Sequence, residues 1–537
     1  MFLNHIIAVS IAWVGLSFAA LHADEPIHHP KEIYKTVQDE HLAQTMAKRE
    51  ADWRNGAVVY QILVDRFAPS QNLDAKRSLY QEPRALRPWE DDPTGGVPKE
   101  GTPFWSHELE FWGGDLASLR SKLDYLQDLG VEVVYLNPIH EAFTNHKYDA
   151  IDYARVSPEF GTREDVIALA SDLHERGMKL MLDGVFNHMG KEAPIFKEAN
   201  ANPDSEYRDW FLFSDAYSKG FRSWADAPSL PELNLENPKV RDYLYTGYDS
   251  VVQSYLRQGV DGWRLDVAFD MGPVFLRELR DAAHSAREGS LIVGELWNYP
   301  DGWFEAVDGV MNFPMREIML RMMGGMIDGQ TASLMIERMV EDAGVEPMLK
   351  SWTLLDNHDT KRLRTMLPET WQQDMVQTLQ VTLPGSPNLY YGVELGLEGG
   401  TEPESRGPMR WERVTDDNPH LRRAKTLIAL RKNYRALRIG NYRRIVSNKL
   451  LAFERYTDKG LESVFVLANP SDEAVHESVM LRNYKMMNGT KLVNAITGKE
   501  VAEIRSSIVT LKVPPQSILV LKPAEFKNEW TPYERVY

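Results

Sequence analysis

From Ala57 onward, short apolar runs alternate with longer amphipathic stretches. AVVYQILV (57–64) is short and β-branched, so it reads as a strand. DLASLRSKLDYLQDLG (115–130) has apolar residues at helical spacing and ends at Gly130, so it reads as a helix. The same alternation gives strand VEVVYLNPI (131–139), helix 163–177 and strand MKLMLDGVF (178–186). It continues with helix 240–259, strand GVDGWRLDVA (259–268), helix 274–287 and strand SLIVGELW (290–297). GVMNFPM (309–315) and WTLLDNHD (352–359) follow as strands, and 374–392 holds a helix and a last strand. About eight strand–helix units predict a parallel sheet with helices outside, closed into an α/β fold of the (β/α)8 TIM barrel type. Two insertions interrupt it, 65–112 after the first strand and 187–237 after the third. From about Arg438 the pattern becomes LLAFERY, ESVFVLANP, SSIVTLKVP and QSILVLKP between turns, which predicts an antiparallel β-sandwich domain.

Strand 259–268 is apolar yet carries Asp261, Arg264 and Asp266, and unpaired charge is costly to bury. Side chains alternate along a strand, so Trp263, Leu265 and Val267 share one face and Gly262, Arg264 and Asp266 the other. The second face points into the barrel, and Arg264 and Asp266 lie near the end where this fold carries its active sites. Other strands send polar groups to the same rim: Asp183 with Asn187 and His188, then Glu295, then Asn357, His358 and Asp359. Any one of these alone reads as a structural ion pair or a cap; four strand ends behaving alike do not.

Cleavage of a glycosidic bond needs one protonated and one ionised carboxyl, about 5–5.5 Å apart in retaining enzymes. Neighbouring strands are about 4.8 Å apart, so Asp266 and Glu295 suit these roles. Arg264 is placed to keep Asp266 ionised, and nearby carboxylates to keep Glu295 protonated. Asp359 would bind sugar hydroxyls, and His188 and His358 serve better as hydrogen-bond donors than as metal ligands.

Composition narrows the partners. The formal charge of −17 argues against nucleic acid and anionic membranes. Fourteen Trp and 22 Tyr offer flat faces suited to sugar rings, beyond those that fill the core. With no cysteine there are no disulfides, thiolate metal sites or thiol nucleophiles. The apolar stretch Ile6–Ala20, with Ala23 before Asp24, reads as a signal peptide (1–23), although no Lys or Arg precedes Lys31. The expected organisation is then an extension (24–50), a catalytic barrel (51–435) with its inserted subdomain (187–237), a β domain (436–525) and a tail (526–537). The expected location is periplasmic or extracellular, with no membrane contact after cleavage.

DGVFNH (183–188), GVDGWRLDVA (259–268), GELW (294–297) and LLDNHD (354–359) resemble, in order, the four signature regions of the α-amylase family of glycoside hydrolases. The resemblance implies a retaining hydrolase of α-1,4-glucans with Asp266 as nucleophile, Glu295 as acid/base and Asp359 as transition-state stabiliser. Arg264, His188, His358 and Tyr148, with His146 beside it, would line the same sugar subsite. Glu402 and Arg406 match an acid–Arg pair for the next sugar outward, where the family usually carries Asp. NHKYDAIDY, FWGGDLASL, PELNLENPKVRDYL and YYGVELGLEGG resemble the neopullulanase, cyclomaltodextrinase and maltogenic amylase group. Unlike that group, the chain has only about thirty residues between the signal segment and the first strand, which leaves monomer or dimer open. Phe269-Asp270 also departs from the family's residues there, so the acceptor side is expected to be unusual, with Trp297 as a platform.

No cofactor is required on this reading. The family's calcium (Ca2+) site between barrel and subdomain would use Asn187, but Asn234 in LPELN replaces its Asp and weakens it. Gly113 and Asp115 are the remaining metal candidates, with Pro69 replacing a usual ligand. Alternatives on the same residues are a transglycosylase and an α-1,6-active glucosidase; a remote one is a non-catalytic glucan-binding protein.

Overall fold

The computed structural model describes residues 37–525. The signal segment, the first part of the extension (24–36) and the tail therefore lie outside the described residues. Eight parallel strands close a barrel: β1 Val59–Ile62, β2 Val133–Leu136, β3 Lys179–Gly184, β4 Gly262–Leu265, β5 Leu291–Leu296, β6 Gly309–Asn312, β7 Trp352–Leu354 and β8 Ser386–Tyr390. They stand in sequence order, β8 pairing back onto β1. Every strand residue except Lys179 is buried, which is why the strands read as apolar runs rather than strict alternation. Val59, Val133, Tyr135, Met181, Val293, Met311 and Trp352 fill the barrel, while Ile62, Leu136, Leu182, Trp263, Leu265 and Ile292 pack outward against the helices.

Local chemistry moved some element ends. The helix expected over 240–259 breaks into Pro238–Arg241, a wide turn at Asp242–Thr246, and Val251–Arg257. Gly247 folds close enough to Asp242 that a Cβ would stand 2.6 Å from its carbonyl oxygen. The Ser250 side chain then accepts from Gln253 N and restarts the helix. The helix expected over 115–130 likewise divides into Leu116–Arg120 and Leu123–Leu129. The strand expected over 309–315 stops at Asn312, whose side chain accepts from Met315 N and caps helix Phe313–Met323.

The C-terminal region holds β9 Asn441–Arg444, β10 Leu451–Tyr456, β11 Val464–Asn469, β12 Val475–Met480, β13 Lys491–Asn494, β14 Glu500–Glu503, β15 Ile508–Val513 and β16 Ser517–Pro523. Six form one sheet in the order β9-β10-β11-β16-β13-β14, faced by the antiparallel pair β12-β15. Phe465, Leu467 and Leu521 of the first share a core with Val475, Val509 and Leu511 of the second. The barrel holds this domain through buried Arg455, which donates to Thr382 O (2.8 Å), and through Ser333 Oγ, which donates to Ala452 O (3.3 Å).

Candidate active site

The charges of strand 259–268 divide between the two ends of the barrel. Asp261 sits at the N-terminal end, its carboxylate accepting from His174 Nε2 (2.7 Å), Leu180 N (2.9 Å) and Arg287 Nη2 (2.7 Å). It ties β4 to its neighbours and faces no cleft. Arg264 and Asp266 lie at the C-terminal end. Arg264 is fully buried and is the hub of the site: Nη1 donates to Asp183 Oδ1 (2.9 Å) and to Asp266 Oδ1 (2.9 Å), and Nη2 lies 2.8 Å from Glu295 Oε2. The β4–β5 register pairs Arg264 with Val293 and Leu265 with Gly294. Continued by one residue, it sets Asp266 beside Glu295 across one strand spacing.

One guanidinium thus faces three carboxylates, with Asp359 close by. Burial pushes Asp266 well above the usual carboxylate range, and Glu295, Asp183 and Asp359 add to the rise against the pull of Arg264. Asp183 is raised by burial too, although Arg264, Tyr135 and Tyr148 work against it. Burial disfavours the Arg264 charge, but Asp183 and Glu295 more than compensate and hold it protonated. The repulsion among the carboxylates is mutual, so burial and neighbouring charge both favour the protonated forms of Asp266 and Asp183.

Around this hub lies a hydrogen-bonded wall. Tyr135 OH (2.6 Å) and Tyr148 OH (3.0 Å) donate to Asp183 Oδ2. His358 Nδ1 faces the amides of Gln61 (3.0 Å) and Asn137 (3.3 Å), so it accepts, and Nε2 carries the proton toward Tyr148 OH (2.6 Å). The two rings stack with planes 3° apart. Burial and the charges of Arg406 and Arg264 hold His358 well below the usual imidazole range. His188 is pushed down to about 4 by burial, and its Nε2 has no protein partner. Both imidazoles are therefore neutral near pH 7. Asp359 Oδ2 lies 3.1 Å from His358 Nε2 and its Oδ1 accepts from Arg406 Nη2 (3.2 Å), while Arg406 Nη1 pairs with Glu402 (2.5 Å). His146 Nε2 stands 3.3 Å from Glu108 Oε1.

Asp266, Glu295, Asp359, His146, Tyr148, His188, His358, Glu402 and Arg406 line one cleft of about 600 Å³ together with Phe269, Trp297 and Trp224. Arg264, Asp183, Tyr135, Gln61 and Asn137 are buried beneath it. Every catalytic and substrate-binding candidate from the sequence is brought to this region. Trp297 is 55% exposed, and its Nε1 donates to Glu295 Oε1 (3.1 Å). Val267, just after Asp266, has φ 39°, a left-handed conformation strained for a β-branched residue. That turn aims its N–H at Glu295 Oε2 (3.1 Å).

The sequence reading missed Gln61, Tyr135, Asn137, Glu108 and Trp224. The first three had a signal: they share the inward parity of β1 and β2 with Val59 and Val133. Glu108 and Trp224 come from the two insertions, where no periodicity marks a direction. Trp224 stacks on His188 (5.4 Å) and donates through Nε1 to Asp270 Oδ2 (2.9 Å), joining the inserted subdomain to the loop after β4.

The metal candidates Gly113 and Asp115 do not fit a cation. Lys76 Nζ lies 2.6 Å from Asp115 Oδ2 and 3.0 Å from Glu159 O, and Asp115 Oδ1 accepts from Ser118 N (2.7 Å) as a helix cap. The ammonium uses the oxygen that a calcium ion would need. At the other candidate position Asn187 Nδ2 faces His188 Nδ1 (3.4 Å) and Asn234 Nδ2 donates to Asp209 O (3.0 Å); both are neutral amides, so neither supplies an anionic ligand. Among the described residues, no group of three or more His, Asp or Glu side chains is placed to hold a metal.

Although burial raises Asp115, its hydrogen bonds from Lys76, Ser70 and Ser118 hold it below the usual carboxylate range. That stability is present above the unfolded-state value and is lost as pH falls through the folded one. Lys76→Met is therefore expected to cost about 1–3 kcal/mol near pH 7, with the deficit narrowing below about pH 4. Urea unfolding at the two pH values tests this; an equal deficit at both would assign the loss to packing.

The α-amylase catalytic-domain model matches residues 61–439. A cyclomaltodextrinase of Geobacillus thermopakistaniensis is 33% identical over 485 residues, 87% of this chain and 77% of that protein. Neopullulanase 2 of Thermoactinomyces vulgaris is 34% identical over 471 residues, 84% of this chain and 75% of that one. Among solved structures, the Ttha1563 protein of Thermus thermophilus superposes with a TM-score of 0.76 at 31% identity, covering 88% of this chain and all (100%) of that one. With the closed barrel and its ring of carboxylates, these matches show that the chain belongs to the α-amylase family of glycoside hydrolases.

Proposed function

We propose that the protein hydrolyses α-1,4-glucosidic bonds of maltooligosaccharides and of cyclic or pullulan-type glucans, by double displacement through a glycosyl–enzyme on Asp266. The observation that carries this is the placement of Asp266 and Glu295 on neighbouring strands, both held by the one Arg264 guanidinium. The spacing of adjacent strands matches the separation that retention requires. In the first step Asp266 attacks the anomeric carbon while Glu295 gives its proton to the departing oxygen. In the second, Glu295 takes a proton from water as that water attacks the same carbon and frees Asp266. Two inversions give net retention. His358 and His188, both neutral, and Asp359 face the sugar hydroxyls, and the Tyr148 ring stacks beneath.

The names of the two relatives favour cyclic and pullulan-type substrates. Timed chromatography of products from γ-cyclodextrin, pullulan, soluble starch and maltotriose tests this. Rapid opening of γ-cyclodextrin or cleavage of pullulan, with starch slower and Glu295→Gln inactive, is the expected result. Fast starch cleavage with inert cyclodextrin would overturn the substrate class, and no cleavage of any of them by folded protein would overturn the α-1,4 reading. Export is part of the same proposal and rests on the apolar segment Ile6–Ala20. Fractionation of the expressing cell, with the activity recovered outside the cytoplasm, tests it.

A further inference from the structure

A second cavity, of about 830 Å³, adjoins the reaction cleft, and Trp297 lines both. Its walls are apolar: Phe313, Ile318, Ile327, Leu334, Met335 and Met339, from helices Phe313–Met323 and Gly329–Ala343 and the turn between them. The Trp297 ring lies flat on Phe313, with centroids 3.7 Å apart and planes 13° apart. Trp297, Leu334 and Met335 are each at least 45% exposed, so the patch is open to a ligand.

The exposed charged groups at the rim pair with one another. Arg321 pairs with Glu317 (2.8 Å), Arg338 with Asp342 (2.8 Å), and Tyr299 OH also donates to Asp342 (2.9 Å). Arg316 Nε donates to Leu355 O (2.7 Å). Arg316 is buried and turned to the backbone, and the exposed Arg321 and Arg338 are paired, so the open surface of this wall is mostly apolar. Contiguous exposed apolar surface beside a cleft marks a binding site for apolar matter.

The chemistry of the cleft says which part of a substrate arrives there. Glu295 gives its proton to the leaving oxygen, so the leaving group departs on the side of Glu295. Trp297, hydrogen-bonded to Glu295, is the residue that continues from that side into the second cavity. We propose that this cavity binds an apolar aglycone at the reducing end of the substrate, so that maltooligosaccharides linked to an alkyl or aryl group are a substrate class of this enzyme. This rests on the hydrolase reading above.

The test compares octyl β-maltoside, below its micelle concentration, with methyl β-maltoside. The wild type is expected to cleave the internal α-1,4 bond of the octyl compound with a KM at least tenfold lower. In Met335→Glu the octyl-to-methyl ratio of KM is expected to move toward one. Calorimetric titration of both compounds into Glu295→Gln reads the same preference without turnover. Equal KM values and equal binding would overturn the proposal while leaving the hydrolase reading intact. Preferential octyl binding with neither compound cleaved by the wild type would overturn the hydrolase reading and keep the apolar site. A wild type that sediments as a dimer, with Met335→Glu monomeric and no octyl preference in either, would assign the patch to a second copy of the chain and overturn the proposal.

Discussion

Asp266→Asn is expected to lower kcat on maltotriose by about 10⁴-fold or more, the scale of losing a nucleophile that acts as one unit with its partners. The substitution keeps shape and removes only the charge. Without the carboxylate no glycosyl–enzyme forms, and water must attack without an activated opposite face. The same change bears on stability with the opposite sign. Burial and three neighbouring carboxylates raise Asp266 in the folded state. A group so raised contributes stability below its unfolded-state value and loses it as pH rises through the folded value. As pH rises the wild type therefore carries a growing cost of that charge, and the neutral Asn does not. The variant is expected to melt a few degrees higher at pH 7, by about 1 kcal/mol, with the gain shrinking toward pH 4. Melting curves at both pH values, beside the rate assay, check this. A variant that keeps a tenth of the wild-type kcat would remove Asp266 from the nucleophile role. One that melts lower at pH 7 would show that the charge stabilises the hub.

Arg264→Met is expected to do the reverse. It strips the shared cation from a buried cluster of three carboxylates, and breaking a buried ion pair from one side costs about 3–5 kcal/mol. Without the guanidinium, Asp183 and Asp266 rise further in the folded state, which then binds more protons than the unfolded chain. Stability falls as pH rises under that condition. The deficit should be largest at neutral and alkaline pH and shrink as the carboxyls protonate, toward about pH 4. Adding Asp183→Asn to the variant should recover part of the loss at pH 7. Denaturant unfolding across this range, with single and double variants, measures the coupling directly. A deficit independent of pH, with no rescue, would mean that Arg264 acts by packing alone.

Much of the hub was legible in one dimension. Arg264 and Asp266 sit two residues apart on an otherwise apolar strand, and parity alone directs both inward. Glu295 and Asp183 end their own runs in the same way. The error at 240–259 has a local cause: apolar spacing persists through Gly247, but the close approach of its backbone to Asp242 breaks the helix. In the C-terminal domain, Val475–Met480 and Lys491–Asn494 were overlooked because their apolar residues are sparse, each strand burying only one face.

The metal candidates show another kind of limit. Gly113 and Asp115 stand where the resemblance places calcium ligands, yet Lys76, 39 residues before Asp115, donates to the carboxylate. Spacing along the chain says nothing of which distant ammonium will reach a given oxygen. The same holds for Trp224 and Asp270, 46 residues apart and hydrogen-bonded.

What the sequence determined by itself is the set of groups and the direction each one faces. Strand period, strand ends and the order of apolar runs are local, and eight strands in a barrel must turn one parity to a common axis. The tertiary structure alone decided which groups share a charge, which imidazoles stay neutral, which cation meets Asp115, and how the Trp297 ring joins two cavities. Those outcomes depend on distances of a few ångströms between residues far apart in the chain, where burial and neighbouring charge act through space.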